Sequence, residues 1–287
     1  MTSVALDACL CLLLISAAGI TVTSVPSQGS DLDRADSVAE TLAATTATVD
    51  YSLRPVPHEK DGIDSATDDA TNPEYERTAH GTLASLLARA AVRTVHVDGE
   101  ALTGTNAGFA AAVHSVVRER LPPRTQVIVS FRPFPGAHLG REFRIGSPPP
   151  SDADVHAGTV HPPSGVSALA NPEGTAEQTG FDGLGRRVAS ALVEGLFPPE
   201  KVRLALAGDA PVDRLLRHRY VRASSFYGVD TGEAIDDGDV RTANERLAEA
   251  MADRITGEFR TQFDTPADTA NGLRLGTVRI AVRTWSA

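Results

Sequence analysis

The feature that most constrains this chain is an uncharged, apolar stretch near its amino-terminal end. Residues 8–30 contain no charged side chain, and the densest part runs from Leu6 to Val25. At about 1.5 Å per residue, a helix of about 20 residues spans a bilayer core of about 30 Å. Its large apolar residues point in all directions, whereas a buried helix of a soluble domain normally has a polar face. We therefore expect residues 1–25 to form a transmembrane anchor.

Two other interpretations of this stretch stay open. A cleaved signal peptide would use small residues such as Ala17 and Gly19, although no Lys or Arg precedes the apolar run. A buried core helix is the third alternative. Arg34 lies just after the span, and the positive-inside rule alone would place the following domain in the cytoplasm. An amino-terminal span followed by a large domain is nevertheless the usual layout of an exported one, so we expect a single-pass cell-membrane protein with an extracytoplasmic domain.

Composition indicates what the remainder can be. The chain has 287 residues, a 41% hydrophobic fraction and a net charge of -10, so the part beyond the anchor is large enough for a packed core. All basic residues except Lys60 and Lys201 are arginines. This acidic, lysine-poor composition is typical of a salt-loving organism and disfavours nucleic acid as a partner. Cys9 and Cys11 both lie in the anchor, so no disulfide or cysteine-based metal site is expected in the domain.

The segment after the anchor divides into three predicted parts. Residues 26–57 contain a short helix in "DLDRADSVAETLAATTA" and a strand in "TATVDYSLRPVP", which lead into the domain. Residues 58–77 are rich in carboxylates and poor in large apolar residues, which predicts an acidic loop. Residues 78–287 are expected to form the globular domain.

Hydrophobic periodicity predicts the elements of that domain. Helices are expected at 78–94 and 106–121, and "TQVIVSFRPF" with "REFRIG" predicts an antiparallel hairpin. A strand is expected from Val155 to His161, followed by a polar irregular stretch up to Asp182. Three further helices are expected, in "LGRRVASALVEGLF", "PVDRLLRHRYVRAS" and "VRTANERLAEAMADRITGEFRTQF".

The third of these helices has the clearest apolar face, formed by Leu247, Met251, Ile255, Phe259 and Phe263. A final strand in "LRLGTVRIAVRTW" alternates apolar residues with arginines, which predicts a sheet with one covered and one wet face. Helices clustered between strands do not form regular strand-helix-strand crossovers. The predicted fold class is therefore α+β, an antiparallel-sheet-plus-helices sandwich behind the anchor.

Motifs that carry chemistry are not found in the sequence. The glycines of "GFDGLGRRVAS" follow no strand and precede no Lys-Ser/Thr pair, so we expect a loop and a flexible helix start there. No Gly-x-Ser-x-Gly occurs. The histidines lack metal-ligand spacing, and the closest pair, His156 and His161, is expected on opposite faces of a strand.

An acidic cluster, "DTGEAIDDGDV", lacks the ligand spacing of a calcium loop, so one of its aspartates is expected to cap the following helix. The sequence thus predicts a non-enzymatic protein with no catalytic residues, no cofactor and no metal.

Asp7 is the one residue of the anchor with a predicted contact. A carboxylate at this depth either reaches the headgroups or pairs with the amino terminus of a neighbouring subunit. The stretches "SVALDACLCLLLISAAGITVTSVP" and "ADSVAETLAATTATVDYSL" resemble uncharacterised haloarchaeal single-span membrane-anchored proteins encoded with type IV pilus assembly components. No basic leader with a cleavable Gly or Ala precedes the run, so processing by a prepilin peptidase is not expected.

The resemblance implies a location and a neighbourhood for the protein. Its partners would be membrane lipid and pilin-like or pilus assembly proteins, contacted through the amino-terminal helix. The leading hypothesis is an accessory or minor pilin-like component of a type IV pilus-like surface assembly. The alternative is an extracytoplasmic enzyme or ligand-binding domain whose site is built from scattered residues such as His156 and Arg132. A cytoplasm-facing scaffold is the third hypothesis.

Overall fold

The computed structural model describes residues 31–54, 73–208 and 210–286. The predicted anchor, with Asp7, lies outside these ranges, as does most of the predicted acidic loop. Among the helices of the described ranges, none has the length and apolar character needed to cross a membrane.

The described part of the chain is α+β, with antiparallel sheets and packed helices. The helices are α1 (Asp31–Ala44), α2 (Leu83–Arg93), α3 (Ala107–Arg120), α4 (Pro172–Leu196), α5 (Pro199–Leu206), α6 (Val212–Tyr227), α7 (Gly232–Asp236), α8 (Val240–Gln262) and α9 (Pro266–Gly272). The strands are β1 (Thr46–Ser52), β2 (Glu76–Thr82), β3 (His96–Val97), β4 (Glu100–Ala101), β5 (Thr125–Phe131), β6 (Leu139–Ile145), β7 (Val155–Val160) and β8 (Arg279–Trp285). A short 3-10 helix, Pro73–Tyr75, precedes β2.

The strands form two sheets. β1 and β2 pair antiparallel, with Thr46 opposite Thr82. The other strands form a six-stranded sheet in the order β4-β3-β6-β5-β8-β7, in which all neighbours are antiparallel. The predicted hairpin of β5 and β6 is confirmed.

One face of the six-stranded sheet is covered by helices. Helix α2 packs on β5 and β6, and helix α1 packs on β7 and β8. The residues fully buried on this face include Val127, Val129, Ile280 and Val282. A Cβ at Gly158 of β7 would come within 2.8 Å of the Ala35 backbone. Only glycine therefore lets α1 approach the sheet this closely.

The opposite face of the sheet carries polar side chains from its central strands. Ser130 on β5 lies opposite Arg279 on β8, and Gln126 lies opposite Arg283. The predicted contrast between a covered face and a polar face is confirmed.

The carboxyl-terminal helices form a second layer around α4 and α8, which pack along each other. The predicted apolar face of α8 is confirmed for Leu247, Met251, Ile255 and Phe259, which are buried. Phe263, the fifth predicted residue, follows the last residue of the helix and is partly buried against the core. The four buried residues belong to the same hydrophobic core as Leu42 of α1 and the sheet residues. Residues 31–54 are thus part of the domain core.

Two sequence predictions about element boundaries are wrong. The helix expected from residue 78 begins at Leu83, because residues 78–82 pair with β1. The irregular stretch expected up to Asp182 becomes helical at Pro172, where Asn171 caps the helix by accepting a hydrogen bond from the Gly174 N–H at 3.0 Å. The glycine-rich segment lies inside α4, and Gly180, with φ of 63°, marks a kink in it.

Candidate functional site

The first candidate site is a cavity of about 310 Å³ where the two-stranded sheet meets the helical layer. Strands β1 and β2, the end of α2, the start of α3, the end of α4, and helices α5 and α6 contribute its walls. Its non-polar lining includes Leu53, Val92, Val202, Val212, Leu215 and Leu216. Tyr51, Thr105 and Asn106 add groups that can form hydrogen bonds.

The charged lining residues of this cavity are all cationic. They are Arg77, Arg93, Lys201 and Arg219, with no Asp or Glu among the described residues that line it. The cavity lining is therefore positively charged, whereas the whole chain carries a net charge of -10. A partly apolar cavity with convergent cations is the arrangement that binds a small organic anion.

Arg219 is the most constrained of these cations. Its Nη2 donates to the carbonyl oxygen of Leu196 at 3.1 Å, and its guanidinium lies 5.3 Å from the centre of the Phe197 ring. Its Nε is buried and has no hydrogen-bond partner among the described residues. Burial, reinforced by the charge of Arg93, lowers the pKa of Arg219 to about 10. The charge is thus held at a cost that a bound anion would offset.

Arg93 and Arg77 are likewise held without carboxylates. The Arg93 guanidinium lies 5.2 Å from the centre of the Phe109 ring, a cation–π contact. Nη1 of Arg77 donates to the backbone oxygens of Glu74 and Glu76, each at 2.7 Å. Aromatic rings and carbonyl groups therefore position these side chains, and no ion pair with a carboxylate of the described residues holds them.

A family model for a family of unknown function, DUF7284, matches residues 6–285. The chain belongs to this family. The match includes residues 6–25 of the predicted anchor. No curated protein and no solved structure is significantly similar to the chain.

The residues suggested from the sequence as a scattered site do not come together in this member of DUF7284. His156 lies opposite Thr284 at one end of the sheet, whereas Arg132 follows the other end of β5. Nε2 of His156 lies 4.0 Å from Oδ2 of Asp154. It is His161 that lines a cleft with Arg132. Asp7 lies outside the described residues.

The acidic cluster before α8 is used for local structure. Asp239 caps α8, as one aspartate of the cluster was predicted to do, by accepting a hydrogen bond from the Thr242 N–H at 3.1 Å. Asp230 accepts from the Gly232 N–H, and Asp236 pairs with Arg217. Within the described ranges, no group of three or more His, Cys, Asp or Glu side chains is arranged to hold a metal ion.

A second polar cluster joins the sheet to the helical layer away from the cavity. Nδ1 of His138 lies 2.5 Å from Oε1 of Glu258, and its Nε2 lies 2.9 Å from the Tyr227 hydroxyl. Arg254 bridges Glu258 and Asp98. Burial raises the pKa of Tyr227, which keeps the phenol protonated and makes it a poor nucleophile. These contacts tie α6 and α8 to the sheet.

The residues of the cavity were not identified from the sequence because they come from segments far apart in the chain. Arg77 and Arg219 are separated by most of the domain. The sequence carried a weak signal, because "DRLLRHRYVRAS" places several basic residues on one predicted helix of an otherwise acidic chain.

Proposed function

We propose that this chain is a membrane-anchored, non-enzymatic binding domain whose cavity takes a small organic anion. The observation that carries the proposal is the set of four cationic side chains around a cavity with no acidic lining residue among those described. The lining groups supply positive charge, hydrogen-bond donors and apolar surface. These are the groups that hold an anion with a non-polar part.

The amino-terminal segment supports the membrane-anchored part of the proposal. Residues 26–30 separate the predicted anchor from α1, and such a linker reaches at most about 17 Å. Since α1 is packed on the sheet, this short linker would hold the domain close to the bilayer. We place the domain on the extracytoplasmic side, in the salt-loving organism that the composition indicates. Protease added to intact cells should therefore digest the domain, and full protection would reverse the topology.

The binding proposal is tested with the detergent-solubilised full chain. Aliphatic and aromatic carboxylates, screened by thermal shift, should include compounds that raise the melting temperature. The Arg219→Gln variant should lose this response. Arg214→Gln, an exposed arginine on the same helix, should keep it. A screen without any stabilising anion, or equal responses in wild type and Arg219→Gln, would refute anion binding.

An accessory role in a type IV pilus-like assembly is the second candidate. It is favoured by the docking of α1 on β7 and β8, because lateral contacts of the anchor would then orient the whole domain. Asp7 would make such a contact with pilin-like or pilus assembly proteins. Deleting the gene should reduce surface filaments or adhesion, and complementation with the Asp7→Asn variant should fail to restore them. Unchanged filaments, adhesion and export in the deletion strain would refute this role.

A further inference from the structure

A second cationic cleft lies on the polar face of the six-stranded sheet, away from the cavity described above. It has a volume of about 390 Å³ and includes Ser130, Arg132, His161, Arg274, Thr277 and Arg279 among its lining residues. Three of these six are arginines, and no Asp or Glu lines the cleft within the described ranges. All three arginine side chains are exposed.

Backbone contacts bring the segments that carry the three arginines next to one another. Arg279 is the cross-strand partner of Ser130 on β5. The Arg274 N–H donates to the Pro133 carbonyl oxygen at 2.7 Å, which fixes the segment before β8 beside Arg132. The Val278 N–H donates to the Pro162 carbonyl oxygen at 2.9 Å, which holds His161 at the same edge.

The guanidinium groups of Arg132 and Arg274 use only some of their N–H donors for hydrogen bonds within the protein. Nη1 of Arg132 donates to the Ala137 carbonyl oxygen at 3.2 Å. Nη1 of Arg274 donates to the carbonyl oxygens of Asn271 and Leu273 at 2.7 Å and 2.6 Å. Each guanidinium has five N–H donors, so both arginines keep donors for another group. No carboxylate of the described residues pairs with any of the three.

The chemistry of the cleft selects its ligand. Arginine forks match the oxygens of a phosphate group and bind it through paired, charge-assisted hydrogen bonds. The Ser130 and Thr277 hydroxyls can donate further hydrogen bonds to the remaining oxygens. Because its three arginines are exposed, the cleft can take a phosphate group whose remainder stays outside.

We propose that Arg132, Arg274 and Arg279, with Ser130 and Thr277, form a phosphate-group binding site on the polar face of the sheet. The ligand is either a free phosphate compound or the headgroup of an anionic phospholipid. This site does not depend on the anion-binding cavity, and the two can be tested separately.

The experiment uses the full chain reconstituted in nanodiscs of a zwitterionic lipid. Inorganic phosphate and glycerol 1-phosphate are titrated and followed by calorimetry at one fixed salt concentration in which the protein is folded. In a second arm, the same protein is reconstituted in nanodiscs containing an anionic phospholipid, and protection of the cleft residues is measured by hydrogen exchange. The variants are Arg274→Gln/Arg279→Gln and, as a matched control, Arg118→Gln, an exposed arginine on α3. A third variant, Arg219→Gln, removes a cation of the other cavity.

Either source of phosphate would support the site. Binding of the soluble compounds should weaken at least tenfold in the double variant, and it should persist in Arg118→Gln and Arg219→Gln. If only the anionic nanodiscs protect the cleft, and the double variant loses this protection, the ligand is a lipid headgroup. The proposal is overturned if neither arm shows an effect or if the double variant behaves like wild type. It is also overturned if Arg219→Gln alone removes the phosphate signal, because the ligand then occupies the first cavity.

Discussion

Arg219 is a partly buried cation with no carboxylate partner among the described residues, and such a group usually costs a folded domain stability. It packs on Phe197 beside the like charge of Arg93, and its Nε has no partner among the described residues. Groups that destabilise the unliganded protein in this way commonly belong to a binding site. We therefore expect substitutions that remove the charge of Arg219 to raise the stability of the unliganded protein and to weaken anion binding.

The first prediction follows from that conflict. Arg219→Met keeps apolar contact with Phe197 and removes the buried charge, so the free energy of unfolding without ligand should rise by about 1 kcal/mol. Urea denaturation of the solubilised full chain measures this change. Arg214→Met, on the exposed side of α6, should change stability by less than about 0.5 kcal/mol. A clear loss of stability in Arg219→Met would show that the guanidinium is mainly structural.

His96 supplies the second prediction, which concerns pH. Nη1 of Arg141 lies 2.7 Å from Nδ1 of His96, and burial, followed by the Arg141 charge, lowers the pKa of His96. The unfolded value is about 6.5, so the folded state binds fewer protons. The stability from neutral His96 is present above about pH 6.5 and is lost as the pH falls.

Unfolding free energies measured between pH 5 and 8 should therefore fall less steeply on the acid side in His96→Gln than in wild type. Two parallel curves, offset by a constant amount, would mean that the substitution changes only packing and would contradict the assignment.

At the scale of elements, the contact between α4 and α8 depends on one glycine. A Cβ added at Gly185 would collide with Oγ1 of Thr256 on α8 and would lie 3.4 Å from the Ala252 carbonyl oxygen. Gly185→Ala should lower the free energy of unfolding by about 1–3 kcal/mol, because the two helices must move apart. Thermal and urea denaturation measure this loss.

Two further variants make the Gly185 prediction specific. Thr256→Ala in the Gly185→Ala background removes the colliding hydroxyl and should restore much of the stability. Gly257→Ala, in α8 but with no atom within 4 Å of the new Cβ, should instead stabilise the protein by about 0.5–1 kcal/mol. Equal effects of Gly185→Ala and Gly257→Ala would indicate helix propensity rather than close packing.

The same elements show where sequence periodicity suffices and where it does not. The α8 stripe was predictable because burial of one helix face leaves a repeat of about 3.6 residues in the sequence itself. The strand at residues 78–82 was not, because its partner β1 lies far back in the sequence and strand pairing leaves no local signal. The start of α4 did carry a signal in "NPE", a cap residue followed by proline, but the surrounding polar residues masked it.

The candidate sites were less predictable than the fold. Their cations come from separate elements, and each alone has the pattern of an ordinary surface residue of a helix or strand. Only the tertiary structure brings Arg93 beside Arg219, and Arg274 beside Arg279. The predicted cap of α8, by contrast, depended on neighbours in sequence and is found at Asp239.

At the scale of the whole molecule, α1 is an integral part of the packed domain. Ala35, Ala39 and Leu42 of α1 are almost completely buried, and the helix covers β7 and β8. Removing residues 1–25 should therefore leave a folded domain, whereas removing residues 1–45 should expose the sheet. The second truncation should lower the free energy of unfolding by at least about 3 kcal/mol.

Trp285, the one tryptophan of the sequence, reports this difference because it is buried at the end of β8. Its fluorescence during urea denaturation should give a cooperative transition for the chain lacking residues 1–25 and a weaker or absent one for the chain lacking residues 1–45. Fractionation of cells expressing each form tests the anchor at the same time, since only the full chain should sediment with membranes. A chain lacking residues 1–25 that still sediments with membranes would contradict the anchor, because the lipid contact would then belong to the folded domain itself.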